Sequence, residues 1–543
     1  MNFVTPSGFR DVLGEEARFR EEIATRVQSC FARRGYAPLE TPTLEIMDVL
    51  RAGGRIPGAP FKFFDSQGSL LAMRPDVTMQ IARMCATRLK DEPGPFKFRY
   101  MQRVFRETEP EMQASARELT QFGIESIGEG GSAADAEIVE LFAEALEECG
   151  LQDFKLALGT VGVLRALLEV GGAGDSWKEQ VLEAYHRSNF VELDSLVKDA
   201  QIKEDFARAI KALPRIRGGV EAIGVLREIV EPLGCSDGLD AFEATYQLLV
   251  DKGLADKILI DFSVMSSFDY YTGIVVEAYA SGLGDSLGSG GRYDSMLGAY
   301  GKERPAAGFA FYLESVMAAC AFQESAREAA LERPLRIAVP KGALYREAVA
   351  VLASAGLDTS GLEDPGRQLI IRNPGVEYVI VRPTDAPAFV ALGAADCGIC
   401  GKDSLVEAAP EVVELVDLDF GGCRFVVAEP KGATEAVNEH YRKLGSIRIA
   451  TKYPNITTAY YAKVGMQVEI VKLHGNIELA PLTGMAERVV DITATGTTLR
   501  ENNLVIVDEI LASTARFFAN VSVFRTDPRI KELAEILQEK KEA

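Results

Sequence analysis

From Phe322 to Pro334 the chain reads F-Q-E-S-A-R-E-A-A-L-E-R-P, charged, rich in alanine and bare of large apolar clusters. No hydrophobic core runs through such a stretch, so the sequence predicts a linker over 322–334 between separately folded parts. The length of 543 residues agrees, because a chain of that size outgrows one core. Before the break, amphipathic helices mix with proline-bounded extended runs. After it, short apolar strands alternate regularly with helices, the pattern of an α/β region.

That second part carries one pattern twice. A strand at Leu335–Val339 leads to Lys341 and a helix from about Tyr345; a strand at Ile447–Ala450 leads to Lys452 and a helix from about Thr457. Two such units imply two lobes, about 335–430 plus 517–543 and about 431–516, each aiming a lysine and a helix N-terminus at a shared cleft. Glu377–Arg382 reads as a further strand, and Asp385–Gly393 and Asp527–Lys541 as helices. Near the end lies D-I-T-A-T-G-T-T-L-R-E-N-N-L, from Asp491 to Leu504. It follows the apolar run Arg488–Val490, and its hydroxyls crowd round Gly496 before a helix at Thr497–Asn502. Successive amides there, with Thr493, Thr495, Thr497 and Thr498, can form a nest for a phosphate, and Asp491 is placed for sugar hydroxyls beside it. Taken alone, the same residues also suit an ordinary threonine–glycine turn.

The first part reads as α+β. Glu15–Arg33 is an amphipathic helix, and Tyr36–Glu45 is too rich in proline for anything but extended chain. Phe96–Arg106 alternates aromatic and basic residues at strand period, with Glu118–Glu125 as an antiparallel partner carrying Gln121 and Glu125. Ser132–Gly150 is a helix, with Ser132 and Asp135 as its capping box and Ile138, Leu141, Phe142, Ala145 and Leu146 as its apolar stripe. Residues 160–256 are helix-rich; strands return at Ile258–Phe262 and Ile274–Tyr279. Gly288–Asp294 (G-S-G-G-R-Y-D) reads as a glycine-rich turn before a short helix.

Several chemistries are disfavoured at once. Three scattered histidines (His186, His440, His474) give no support to a zinc site or a histidine-based triad. Cys397 and Cys400 have C-x-x-C spacing but read as small packing residues on a buried strand. A net charge of −21 argues against a nucleic-acid surface, though not against small anions held by a local nest. No membrane-spanning run or signal pattern is present, so a cytoplasmic protein with reduced thiols is expected.

Six segments in order carry a resemblance: L-R-I-A-V-P-K-G, V-R-P-T-D-A-P with G-A-A-D-C-G-I-C-G-K-D, F-G-G-C-R, I-A-T-K-Y-P-N-I-T, L-H-G-N-I-E-L-A-P-L and the stretch from Asp491. On these, residues 335–543 resemble the short form of ATP phosphoribosyltransferase, the first enzyme of histidine biosynthesis. The resemblance implies that Asp491, Thr493, Ala494, Thr495, Gly496, Thr497 and Thr498 hold the phosphate and ribose of phosphoribosyl pyrophosphate. It implies that Lys341, Gly342, Arg424, Lys452 and Tyr453 meet ATP and the phosphates. Glu478, Asp491, Lys341 and Lys452 would be the catalytic set, with Mg²⁺ as cofactor. Ala343 stands where the family usually has arginine.

The segments L-A-M-R-P-D-V-T, R-V-F-R-E-T-E, Q-F-G-I-E, F-D-Y-Y-T-G, G-G-R-Y-D and G-F-A-F-Y-L-E give residues 1–320 a resemblance to the histidyl-tRNA synthetase core. Ser266 and Ser315 replace arginines that serve ATP there, and no anticodon domain follows, the pattern of the synthetase-like regulatory subunit of the transferase. The implied fold is a class II synthetase-like antiparallel-sheet domain (1–321, helical insertion about 160–256), then a two-lobed α/β domain resembling periplasmic binding proteins. Asp76, Thr78, Gln121, Glu125, Tyr270 and Tyr271 would form a pocket for inhibitory free histidine. The implied partners are ATP, phosphoribosyl pyrophosphate and further copies of the chain, with no tRNA and no membrane. A working histidyl-tRNA synthetase and a non-catalytic two-lobed binding protein are the competing readings.

Overall fold

Strands Phe96–Phe105 and Glu118–Ile127 pair antiparallel over ten residues, and the amino-terminal sheet grows from them. The structure, a computed structural model, describes residues 4–54, 59–107, 116–171, 174–200, 202–236, 238–264, 271–281, 283–328 and 333–542. The chain divides into two units, Met1–Leu331 and Glu332–Ala543.

In the first unit nine strands run in the order Ala37–Pro38, Phe96–Phe105, Glu118–Ile127, Ala306–Tyr312, Gly288–Arg292, Ile274–Tyr279, Lys155–Thr160, Ile258–Asp261, Arg217–Gly218. All neighbours are antiparallel except the first pair and Lys155–Thr160 with Ile258–Asp261. Alternation sends Phe122, Ile124, Phe309 and Phe311 to one face, where helices Gly14–Arg33 and Ser132–Glu148 cover them. The rings of Phe142 and Phe309 stack at 4.5 Å, and those of Phe122 and Phe311 at 5.4 Å. Gln121 and Glu125 therefore point to the other face.

Three expectations are corrected here. The capping box does not form: Gly131 is the N-cap at φ 88°, Ser132 donates to the Ala241 carbonyl at 3.0 Å, and Asp135 is drawn off by Arg292 Nε at 2.7 Å. Gly288–Arg292 is an interior strand, not a turn. Its neighbours press so close that a Cβ at Gly288 would lie 2.2 Å from the Ala310 carbonyl, and one at Gly290 2.5 Å from that of Gly308. The expected linker begins late, because helix Leu313–Glu328 continues through its first half, where alanine and glutamate favour helix.

The second unit holds two sheets. One has six strands, in the order Ile370–Asn373, Val376–Val381, Leu335–Pro340, Cys397–Gly401, Ala515–Asn520, Val412–Asp417. The other has five: Val468–Lys472, Ile447–Thr451, Arg488–Thr493, Cys423–Pro430, Leu504–Ser513. Two lobes are thus present, but their boundary differs from the expected one. Cys423–Pro430 pairs with both Arg488–Thr493 and Leu504–Ser513, so it belongs to the second lobe; the crossovers are 418–422 and Thr514. Cys397 and Cys400 are buried on their strand, and burial drives both thiols well up, as packing residues require.

Candidate active site and sensor pocket

Parallel strands deliver the two lysines of the second unit. Lys341 follows Leu335–Pro340, with its N–H on the Val381 carbonyl at 2.7 Å and its side chain exposed. Lys452 follows Ile447–Thr451, and Tyr453 is fixed by a bond from its N–H to Thr451 Oγ1 at 2.9 Å. Tyr453 itself is buried, its ring edge-on to Phe425 at 4.8 Å. Its ring is packed inward, in contrast to the exposed Lys452 beside it.

Asp491 lies on Arg488–Thr493, directly across from Val426, with Arg424 across from Thr493, so Arg424, Asp491 and Thr493 share a sheet face. Burial raises the Asp491 carboxyl to about 6; the nearby Glu478 charge adds to the rise and Lys452 opposes it. The sequence-predicted Glu478, Asp491 and Lys452 are thereby one electrostatic group. Arg424 meets Glu509 Oε2 at 2.8 Å, on the edge strand Leu504–Ser513.

The loop after Asp491 is a turn on Gly496 at φ 69°. Gly496 N–H donates to Thr493 Oγ1 at 2.8 Å, Thr495 and Thr497 hydroxyls meet at 2.9 Å, and Arg500 Nη2 donates to Thr497 Oγ1 at 3.2 Å. Ala494, Thr495, Thr497 and Thr498 are exposed. The helix that follows, Thr497–Glu501, is a single turn, so what the loop can offer an anion is its amides, its hydroxyls and Arg500 rather than a helix dipole. Arg500 was not singled out from the sequence, although its place in T-G-T-T-L-R signals it. Gly342 takes φ 82° in a short 3₁₀ turn beside Lys341, and Ala343 is exposed there.

Asp403 is another residue that sequence reasoning passed over. It opens helix Lys402–Ala408 in the first lobe, and Ser513 Oγ of the second lobe donates to its Oδ1 at 2.9 Å. Burial pushes the Tyr453 phenol up, and the charges of Asp403 and Asp491 push it further, which places carboxylates of both lobes around one side chain.

In the first unit, Asp76, Thr78, Gln121, Glu125 and Tyr271 come together, buried, on the sheet face opposite Phe122 and Phe309, lined also by Tyr293 and Tyr312. Tyr270 lies outside the described residues, as does Ser266. Thr78 Oγ1 donates to Glu125 Oε1 at 2.6 Å, and Tyr293 OH donates to its Oε2. Asp76 Oδ1 accepts from Thr78 N–H at 2.8 Å. Burial raises the Asp76 carboxyl and pushes Glu125 up to about 8. Arg106, the second arginine of R-V-F-R-E-T-E, stacks on Tyr312 and bonds its hydroxyl, and its charge reaches Asp76. Two buried carboxylates with a guanidinium at one end suit a ligand carrying both ammonium and carboxylate. About 20 Å³ stands open, the room of a single water, so a larger ligand enters only as side chains shift.

Residues 8–316 match the family model of histidyl-tRNA synthetase, and residues 382–539 that of ATP phosphoribosyltransferase. Over 193 residues, 36% of this chain and 89% of the relative, the sequence is 50% identical to an ATP phosphoribosyltransferase of Rubrobacter xylanophilus. The chain belongs to the ATP phosphoribosyltransferase family. The unit ahead of the transferase belongs to the histidyl-tRNA synthetase family. It is 36% identical over 316 residues, 58% of this chain and 81% of the relative, to an ATP phosphoribosyltransferase regulatory subunit of Moorella thermoacetica. A crystal structure described as an ATP phosphoribosyltransferase regulatory subunit/histidyl-tRNA synthetase from Bacillus halodurans aligns at TM-score 0.55 and 27% identity, covering 70% of this chain and 98% of that one. The chain is thus a pentosyltransferase of histidine biosynthesis with a regulatory-subunit-like unit joined to it.

Proposed function

We propose that the two-lobed unit, which resembles periplasmic binding proteins, joins ATP to phosphoribosyl pyrophosphate in the cleft bounded by Lys341, Lys452, Glu478 and Asp491. The lone pair of adenine N1 forms a bond to ribose C1 as the C1–oxygen bond breaks and pyrophosphate leaves with that electron pair. No protein nucleophile enters, so the chain's task is to position the substrates and offset their charge. Thr493 to Thr498, with Arg500, hold the 5-phosphate, and Asp491 takes ribose hydroxyls. Lys341, Gly342, Arg424, Lys452 and Tyr453 line the ATP and pyrophosphate side, and Asp403 faces them from the first lobe. Glu478 and Asp491 are adjacent hard oxygen donors, which fits Mg²⁺. Held there and by pyrophosphate oxygens, the ion would neutralise charge on the leaving group.

The observation that carries this reading is the raised Asp491 carboxyl beside Glu478 and Lys452, on the strand that runs into the threonine loop. Incubating the chain with ATP, phosphoribosyl pyrophosphate and Mg²⁺ tests it. Phosphoribosyl-ATP should form, and Asp491→Asn should lower kcat about a hundredfold. Equal turnover in that variant would remove Asp491 from the site.

The first unit acts in this reading as the histidine sensor. Asp76 and Glu125 hold the ammonium and imidazole, Arg106 the carboxylate, with Thr78, Gln121 and Tyr271 completing the pocket among the described residues. Titration calorimetry with Glu125→Ala should show no histidine binding; undiminished binding would move the sensor elsewhere. Among the described residues no helix is long and apolar enough to cross a membrane. A cytoplasmic homo-oligomer that binds no tRNA completes the proposal.

A further inference from the structure

Helix Pro454–Val464 starts directly after Lys452 and Tyr453, with Pro454 in its first turn, three residues earlier than the sequence implies. Its N-cap residue, Tyr453, makes no side-chain cap hydrogen bond to the first-turn amides. The cap comes from the other lobe. Asn455 N–H donates to Glu407 Oε1 at 3.1 Å, and Ile456 N–H donates to Glu407 Oε2 at 3.0 Å. Asn455 Nδ2 also donates to the Glu407 carbonyl at 2.9 Å. A carboxylate of the first lobe thus sits on the helix N-terminus that follows Lys452.

Glu407 lies in the last turn of the short helix Lys402–Ala408, whose other end is bound to the second lobe through Asp403 and Ser513. Ser513 is followed directly by the crossover residue Thr514, whose carbonyl accepts from Lys402 N–H at 3.0 Å, so that first contact lies at the hinge. The two contacts stand four residues apart, about 6 Å along the helix axis. Two separated contacts resist rotation that one at the hinge would permit. Lys402–Ala408 is a strut across the lobe boundary, and Glu407 is its outer foot.

We infer that Glu407 is a positioning residue for phosphoribosyl transfer: by capping Pro454–Val464 across the lobes, it holds Lys452 and Tyr453 in register with Lys341 and Asp403. It touches no substrate. Its carboxylate gains from the helix dipole as well as from two amides, and a cap of this kind is lost as a unit when the side chain is cut back. Without it the lobes spend only a fraction of their time at the productive angle, and apparent substrate affinity falls by that fraction. Saturating substrate restores the angle, so the defect belongs in KM and not in kcat.

This inference rests on the cleft being the transferase site. The full chain is assayed with ATP and phosphoribosyl pyrophosphate as wild type, Glu407→Ala, Glu407→Gln and Asn455→Ala. Glu407→Ala should raise KM for phosphoribosyl pyrophosphate about tenfold with kcat changed less than about twofold. Glu407→Gln, whose amide oxygen still accepts from the helix, should return KM to within about threefold of wild type. Asn455→Ala, an exposed side chain, should raise KM about threefold and keeps the test open should Glu407→Ala not fold. An unchanged KM in Glu407→Ala or Asn455→Ala overturns the inference. So does a loss shared between kcat and KM, accompanied by a lower melting temperature and not recovered by Gln. An inactive wild type would instead defeat the reading of the cleft.

Discussion

At the scale of single residues, burial sets the chemistry of Glu125 and of Asp491. Glu125 holds its proton up to about pH 8 in the folded chain, against an ordinary value near 4.5. The folded state thus binds that proton more tightly than the unfolded chain does. Unfolding free energy should fall as pH rises from about 4.5 to about 8, and Glu125→Gln should flatten the curve, as urea titrations at several pH values would show. An ammonium ligand needs the ionised form. Histidine affinity should therefore climb between pH 6 and 8 with release of about one proton, read by calorimetry in buffers of different ionisation enthalpy. Gly496 is governed by conformation and not by space. The nearest atoms to a Cβ there are 3.8 Å away, yet φ is 69°. Gly496→Val should cost about 1–2 kcal/mol locally, distort the threonine loop and raise KM for phosphoribosyl pyrophosphate at little change in KM for ATP. Equal KM shifts for the two substrates would place the loop elsewhere in the reaction.

Among the elements, Gly288–Arg292 shows how a glycine run can serve a sheet interior. Strand neighbours on both sides approach where side chains would stand, and the glycines keep that approach possible. Gly290→Ala should push the strand off Ala306–Tyr312 and cost about 2–3 kcal/mol, seen as a lower urea midpoint with an unchanged slope. Because Ser289 and Gly308 line the sensor pocket, histidine binding should weaken in the same variant while transferase kinetics without histidine stay as they were. Lys402–Ala408 makes the complementary point. It is too short to be stable alone, and its worth lies in what its two ends hold.

For the molecule as a whole, each unit closes its own core: Phe31, Phe142 and Phe309 in the first, Val390, Phe518 and the Phe425–Val490 cluster in the second. Scanning calorimetry should resolve two unfolding transitions. Fragments 1–331 and 332–543, expressed separately, should each reproduce one of them; a single concerted transition lost on separation would contradict this division. Histidine should raise chiefly the transition of the first unit, and phosphoribosyl pyrophosphate chiefly that of the second, since each stabilises the state that binds it.

Local pattern determined much of this protein. Strand period at Phe96–Phe105, the apolar stripe of Ser132–Glu148, the two strand–lysine units and the turn at Gly496 are dictated by residues close together in the chain, and they stand where the sequence put them. Partners distant in sequence were left to the tertiary structure. Arg292 takes Asp135 from its own helix cap, Cys423–Pro430 finds its neighbours in the second lobe, and Glu407 reaches 48 residues along the chain to finish a helix that Tyr453 cannot cap. Hydrogen bonds and desolvation act through space, so neither a shifted carboxyl nor a borrowed cap leaves a mark in the spacing of residues along one strand.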